Sequence, residues 1–82
     1  MNDKEAMHIL LNKIAITLQN AIAILGFMPD FCGDTVRSIL EKKDDVEIVA
    51  LGCCIDACVK HNSWDGLTDF AEALETHRKK FK

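Results

Sequence analysis

The chain has 82 residues, of which 49% are hydrophobic and 28% charged, and its formal net charge is −3. This length predicts one domain spanning residues 1–82, and the apolar share excludes wholesale disorder. The acidic balance lacks the broad positive field that nucleic-acid binding usually requires. A domain of this size hides about 60–65% of the surface that its unfolded chain exposes, so a partner or a second copy is expected to add stability.

The first residues and the cysteines favour a cytoplasmic protein. Met1 is followed by polar residues at positions 2–5, which is not the pattern of a signal peptide. The most apolar run, residues 21–28, is far shorter than the roughly 18–20 residues that cross a bilayer, so no transmembrane segment is expected. The four cysteines cluster mainly in one segment and are expected to be thiols rather than a disulfide framework.

Residues 4–26 predict one long helix that ends at Gly26. Its apolar positions follow helical spacing: Met7, Leu10, Leu11, Ile14, Leu18, Ala21, Ile22 and Leu25. A second apolar stripe at Ile9, Ile16 and Ala23 makes the hydrophobic arc wider than one packing neighbour needs. The surplus indicates either a central position in the fold or a seam between two copies.

A turn is expected over residues 27–33, because Pro29, Asp30 and Gly33 are turn-forming residues. Asp34 has the short side chain that caps a helix, so a short second helix is predicted at residues 35–43. Lys43 and the lysine before it would suit the C-terminal end of that helix.

The third helix is predicted at residues 46–60, started by Asp44 or Asp45. It is apolar on nearly every side, and Gly52, Asp56 and Lys60 form a narrow exception. Because a helix that is hydrophobic all round is normally covered, we expect this helix to be the most buried element.

Residues 64–80 predict a fourth, amphipathic helix with Ser63 as its N-cap. Its acidic residues lie near the start and its basic residues at the end, which complements the helix dipole. Its inner face is formed by Leu67, Phe70, Ala71 and Leu74. Four helices with short connections predict an all-α fold, a compact bundle.

Cys54, Cys58 and His61 are the sharpest cluster of metal-binding residue types, at positions i, i+4 and i+7. A closed zinc site needs four ligands, so a fourth would have to come from another segment: Cys32, His8 or His77. The same spacing is typical of a core stripe in which cysteine behaves as a small hydrophobe, and this interpretation is favoured.

Large apolar side chains lie at the helix ends and in the predicted turn, namely Phe27, Met28, Phe31 and Trp64. Such residues either plug the ends of a bundle or anchor a partner protein. Exposed aromatic anchors contribute a large share of interface energy, so these four are the leading candidates for partner contact.

No glycine-rich phosphate loop, nucleophile elbow or His-Glu-x-x-His motif occurs in the chain, so neither an enzyme nor a cofactor is expected. The predicted function is that of a non-enzymatic helical interaction protein, homo-oligomeric, that binds another protein as regulator, inhibitor or assembly adaptor. Two alternatives stay open. One is a metal- or ligand-binding module using Cys54, Cys58 and His61, and the other is a nucleic-acid accessory protein using the basic run at residues 77–82.

Overall fold

The computed structural model describes residues 3–80, and these residues form four α-helices. The helices are α1 (Asp3–Leu25), α2 (Asp30–Lys42), α3 (Asp45–His61) and α4 (Asp65–Lys80). The predicted fold class is confirmed: α1 is the longest helix and α2 the shortest. The bundle is flattened, with extents of 36 × 32 × 17 Å.

Helix α1 ends where the sequence predicts, at a glycine. Gly26 has a φ of 85°, a left-handed conformation that favours glycine, and its N–H donates to the Ile22 carbonyl at 2.8 Å. Of the two positions that the surplus apolar surface of this helix indicated, the central one is not observed, because α1 packs mainly against α3 at one side of the bundle. Ile14 and Ala21 are its buried residues, so much of its surplus apolar surface is left exposed.

Helix α2 begins five residues earlier than predicted, at Asp30. Pro29 occupies the N-cap position with φ −57° and ψ 149°, and the Gly33 N–H donates to its carbonyl at 3.0 Å. Proline is well tolerated there because the first helical turn needs no donor from it. Asp34 is therefore an interior helical residue and not a cap, and Phe31 belongs to α2 rather than to a loop.

Helix α3 is the centre of the bundle and contacts each of the other helices. The Asp44 carboxylate caps it by accepting a hydrogen bond from the Glu47 N–H at 3.1 Å, as predicted. Asn62 ends it in a left-handed conformation. Its buried residues are Ile48, Leu51, Ile55 and Cys58, more than any other described helix buries, which confirms it as the most buried element.

Helix α4 begins at Asp65, one residue later than predicted. The Ser63 hydroxyl accepts a hydrogen bond from the Asp65 N–H at 3.1 Å, in keeping with its predicted capping role. Leu67 and Ala71 are buried, and α4 packs on α3 and α2. The predicted inner face of this helix is therefore the face that meets the bundle.

Helix α1 has the length and the apolar composition of a helix that can cross a membrane. This differs from the expectation based on the short run at residues 21–28. The polar residues before residue 21 do not lower the mean hydropathy of α1 below that of helices able to span a membrane. A core helix of a soluble protein can have the same length and apolar composition. These two properties are therefore weak evidence for a membrane-spanning helix.

Candidate functional site

The segment between α1 and α2 exposes an aromatic residue almost completely. Phe27 is 93% exposed, the largest exposure among the large hydrophobic residues described. Phe31, on the first turn of α2, is also exposed, and Met28 between them is half-buried. Of the four predicted partner contacts, the structure thus exposes Phe27 and Phe31 and leaves Met28 between them half-buried.

An open groove between α1 and α2 begins beside this segment. Its volume is about 550 Å³. It is lined mainly by apolar side chains, namely Leu18, Ile22, Met28, Val36 and Leu40. Arg37, Glu41 and Lys43 add charges of both signs to its lining. An apolar groove with charged residues along it is the kind of surface that receives an amphipathic helix.

Trp64, the fourth predicted contact, connects the start of α4 to the end of α1. Its indole Nε1–H donates to the Gly26 carbonyl at 3.2 Å, and its half-buried ring packs against the core. Buried tryptophans usually satisfy their N–H in this way. The contact fixes the point from which Phe27 leaves the bundle, so Trp64 positions the exposed segment.

The three predicted metal-ligand residues lie in different environments. Cys58 is buried, Cys54 is half-buried, and His61 is exposed at the end of α3. Within residues 3–80, no group of three or more histidine, cysteine, aspartate or glutamate side chains is arranged to hold a metal ion. Cys54 instead donates a weak hydrogen bond to the Gly66 carbonyl at 3.5 Å, and Cys58 belongs to the core cluster.

The surroundings of Cys54 make its thiol hard to ionise. Burial raises its pKa from the ordinary 9.0 to about 11, and the neighbouring Cys58 thiol adds to this shift. Because the thiolate is the reactive form, a raised pKa lowers both nucleophilicity and metal affinity at neutral pH. Cys54 therefore behaves chemically as a packing residue.

Alkylation of dilute, monomeric protein with iodoacetamide at pH 8 is expected to label Cys53 at least tenfold faster than Cys54. Cys53 is exposed, whereas the thiolate fraction of Cys54 is about 100-fold below that of an ordinary thiol. Peptide mapping over time measures both rates, and Cys53→Ser should remove the fast phase. Equal labelling of the two cysteines would contradict the environment described for Cys54.

The basic run at the end of α4 is partly engaged in ion pairs. Arg78 contacts Glu47 at 2.7 Å and Lys79 contacts Glu75 at 3.3 Å. Residues 81–82 of this run lie outside the described residues. Pairing with carboxylates reduces the positive charge that these two residues offer to phosphate groups. The structure adds nothing in favour of the nucleic-acid hypothesis.

Two structural features are not predicted by the sequence. One is an uncovered face of α3 that includes Val46 and Val49, and the other is the contact between Arg78 and Glu47. The all-round apolar pattern of α3 was a signal for the first, because it exceeds what a central helix of a small bundle can cover. The second joins residues 31 positions apart and has no local signal.

The fold and these surfaces define an all-α, four-helix protein with exposed apolar positions. No known protein family matches the chain, and neither a curated protein nor a solved structure matches it.

Proposed function

We propose that this protein is a non-enzymatic helical interaction protein that binds another protein as regulator, inhibitor or assembly adaptor, and that it self-associates. The observation that carries the proposal is the number of large apolar side chains left exposed by the fold. Among the described residues they are Ile9, Ile16, Ile24, Phe27, Phe31, Val46 and Val49. Single exposed apolar residues are common, but neighbouring ones on a small domain mark interaction surfaces.

The site proposed for the other protein is Phe27 together with the groove between α1 and α2. Phe27 is presented at 93% exposure beside a groove whose lining is largely apolar. Aromatic anchors next to a hydrophobic groove supply much of the energy of helix-in-groove complexes. We take an amphipathic helix of the other protein as the occupant, with Phe27 entering a pocket on that protein.

The proposed location is the cytoplasm. Helix α1, the helix whose length and composition suit a membrane, packs against α3 and places Ile14 and Ala21 in the core. Inserting α1 into a bilayer would uncover the matching surface of α3, so packing within the bundle favours a soluble location.

Site-specific photo-crosslinking tests the protein-binding function. Benzoylphenylalanine is introduced at Phe27, where it keeps an aromatic side chain, and as a matched control at Glu72, an exposed residue of α4. After irradiation in the protein's native cells, we expect one defined second protein attached at position 27 and none at position 72. The adduct is identified by mass spectrometry.

Competition makes the result specific to the aromatic side chain. Added wild-type protein should suppress the adduct in a cell extract, whereas Phe27→Glu protein should not, because a buried carboxylate would be left unpaired at the anchor position. Equal adducts at positions 27 and 72, no adduct at position 27, or equal competition by both proteins would each overturn the proposal.

A further inference from the structure

One face of the central helix α3 is left uncovered by the rest of the bundle. Val46 is 73% and Val49 51% exposed. Ala50, Cys53 and Ala57 are also exposed, and with the two valines they fall within an arc of about 100° around the helix axis. We call these five residues the α3 face.

The opposite side of α3 is the best-buried surface of the described bundle. Ile48, Leu51 and Ile55 there are almost completely inaccessible to solvent. Helices that are apolar all round are normally covered all round, so the α3 face is the position where a covering element is missing. The groove of about 150 Å³ between α1 and α3, lined in part by Val49 and Cys53, adjoins the same face.

The residue spacing of the α3 face is suited to packing against another helix. Val46, Ala50, Cys53 and Ala57 follow one another at intervals of four, three and four, which is the spacing of a helix–helix seam. Small side chains at its middle allow the axes of two helices to approach to about 8 Å. The two valines, which are the largest side chains of the α3 face, lie toward its N-terminal end. The two helix axes can therefore approach most closely at the middle of the seam.

The charges at the ends of α3 select the direction of that second helix. Asp45 lies in the first turn, and Lys60 and His61 lie in the last turn. An antiparallel copy of α3 brings the acidic end of each helix to the basic end of the other and opposes the two helix dipoles. A parallel copy would place like charges side by side. The surface is therefore complementary to itself.

We infer that the α3 face is a homodimer interface in which two copies of α3 pair antiparallel about a twofold axis at Cys53. Cys53 is the midpoint of Asp45–His61, so in such a pair it meets its own copy across the axis. Val49 then lies near Asp56 of the second copy, and Asp45 near Lys60 of the second copy. This inference rests on the proposed role as an interaction protein and names one of its partners, a second copy of the chain.

The first part of the test measures association. Sedimentation analysis over about 1 to 200 µM protein should show a reversible monomer–dimer equilibrium. Val49→Glu, which places a carboxylate against Asp56 of the second copy, should raise the dimer dissociation constant at least tenfold. Ile16→Glu, the same introduced charge at a 67% exposed residue on the outer side of α1, outside the α3 face, should leave it unchanged within about twofold. Circular dichroism verifies that both variants fold.

Disulfide trapping measures the direction of pairing. Diamide accepts the two electrons and two protons that two thiols release on forming a disulfide. Wild-type protein should give a dimer linked through Cys53. Val46→Cys in a Cys53→Ser background should cross-link far less, because the two copies of residue 46 would lie about 21 Å apart along the axes. Val46 is 73% exposed, so a cysteine at this position is accessible. Random collisions between molecules would therefore link it readily, and weak cross-linking there would not be caused by burial.

The outcomes separate this inference from the proposed binding of another protein at Phe27. A monomer at every concentration, an unchanged dissociation constant for Val49→Glu, or cross-linking at position 46 as efficient as at Cys53 would overturn the antiparallel dimer. None of these results alters the photo-crosslinking at Phe27, and loss of that adduct does not alter the dimer measurement.

Discussion

Replacing Ile55 with alanine is expected to lower the free energy of unfolding by about 3 to 4 kcal/mol. Ile55 is fully buried in α3, the helix that contacts all the others, so the cavity is enclosed by several elements at once. The loss combines the transfer energy of the removed methyl and methylene groups with the packing lost around the cavity. Urea unfolding followed by circular dichroism at 222 nm measures the difference.

Ile16→Ala provides the matched control for this prediction. Ile16 is 67% exposed on the outer side of α1, and alanine is the better helix former, so its effect is expected within about 0.5 kcal/mol. Equal effects of the two substitutions would show that α3 is not the packing centre. In a domain of 82 residues the Ile55→Ala loss is a large share of the total stability.

The helix boundaries that the sequence predicted well are those set by local chemistry. Gly26 ends α1 because it adopts a positive φ, and Asp44 starts α3 because its carboxylate reaches the Glu47 N–H. Both effects act within one helical turn, so they can be seen in a short stretch of sequence. The sequence predicts too late a start for α2 because Pro29, Asp30 and Gly33 suit either a turn or a first helical turn.

The candidate site could be predicted only in part because it depends on which surfaces the helices leave uncovered. The position of Phe27 next to a helix end made it a candidate, and its exposure agrees with that role. Periodicity showed that α1 and α3 carry surplus apolar surface. It also indicated that α3 is the most buried helix, but it did not show that α1 is peripheral, since that position depends on contacts between distant residues.

Arg78→Met is expected to lower the free energy of unfolding at pH 7 by about 1 to 2 kcal/mol. The guanidinium of Arg78 in α4 donates to Glu47 of α3 at 2.7 Å and to the Ser38 hydroxyl of α2 at 2.6 Å, so it joins three helices. The Glu47 side chain is 15% and that of Arg78 32% exposed, so solvent screens part of the interaction. Methionine keeps the apolar stem and removes the charge and the donors.

Lys79→Met is the control for removal of a surface cation from the same helix. Lys79 pairs with Glu75 one turn away at 3.3 Å, and both side chains are well exposed. Such pairs contribute less than about 0.5 kcal/mol. A loss for Arg78→Met no larger than that for Lys79→Met would contradict a stabilising role for the contacts between α4 and the other helices.

The contacts of Glu47 with Arg78 and Lys42 predict how the free energy of unfolding depends on pH. Burial by itself would raise the pKa of Glu47, but the hydrogen bonds and positive charges of Arg78 and Lys42 prevail and lower it below the ordinary 4.5. A carboxyl whose folded-state pKa is lower than its unfolded-state pKa stabilises the fold above the unfolded value, and the stabilisation is lost as pH falls through the folded value. The wild type should therefore lose this contribution in acid.

Urea unfolding of wild type and Arg78→Met across about pH 3 to 7 measures that contribution directly. The difference in the free energy of unfolding between the two proteins should be largest above about pH 5.5. It should decrease as Glu47 becomes protonated below its ordinary pKa of 4.5. Lys42, which contacts Glu47 at 3.1 Å in the wild type, is unchanged in the variant, so the stability of the variant should keep a part of this pH dependence. A difference that stays constant over this range would mean that Arg78 stabilises the bundle through its contact with Ser38, independently of the charge on Glu47.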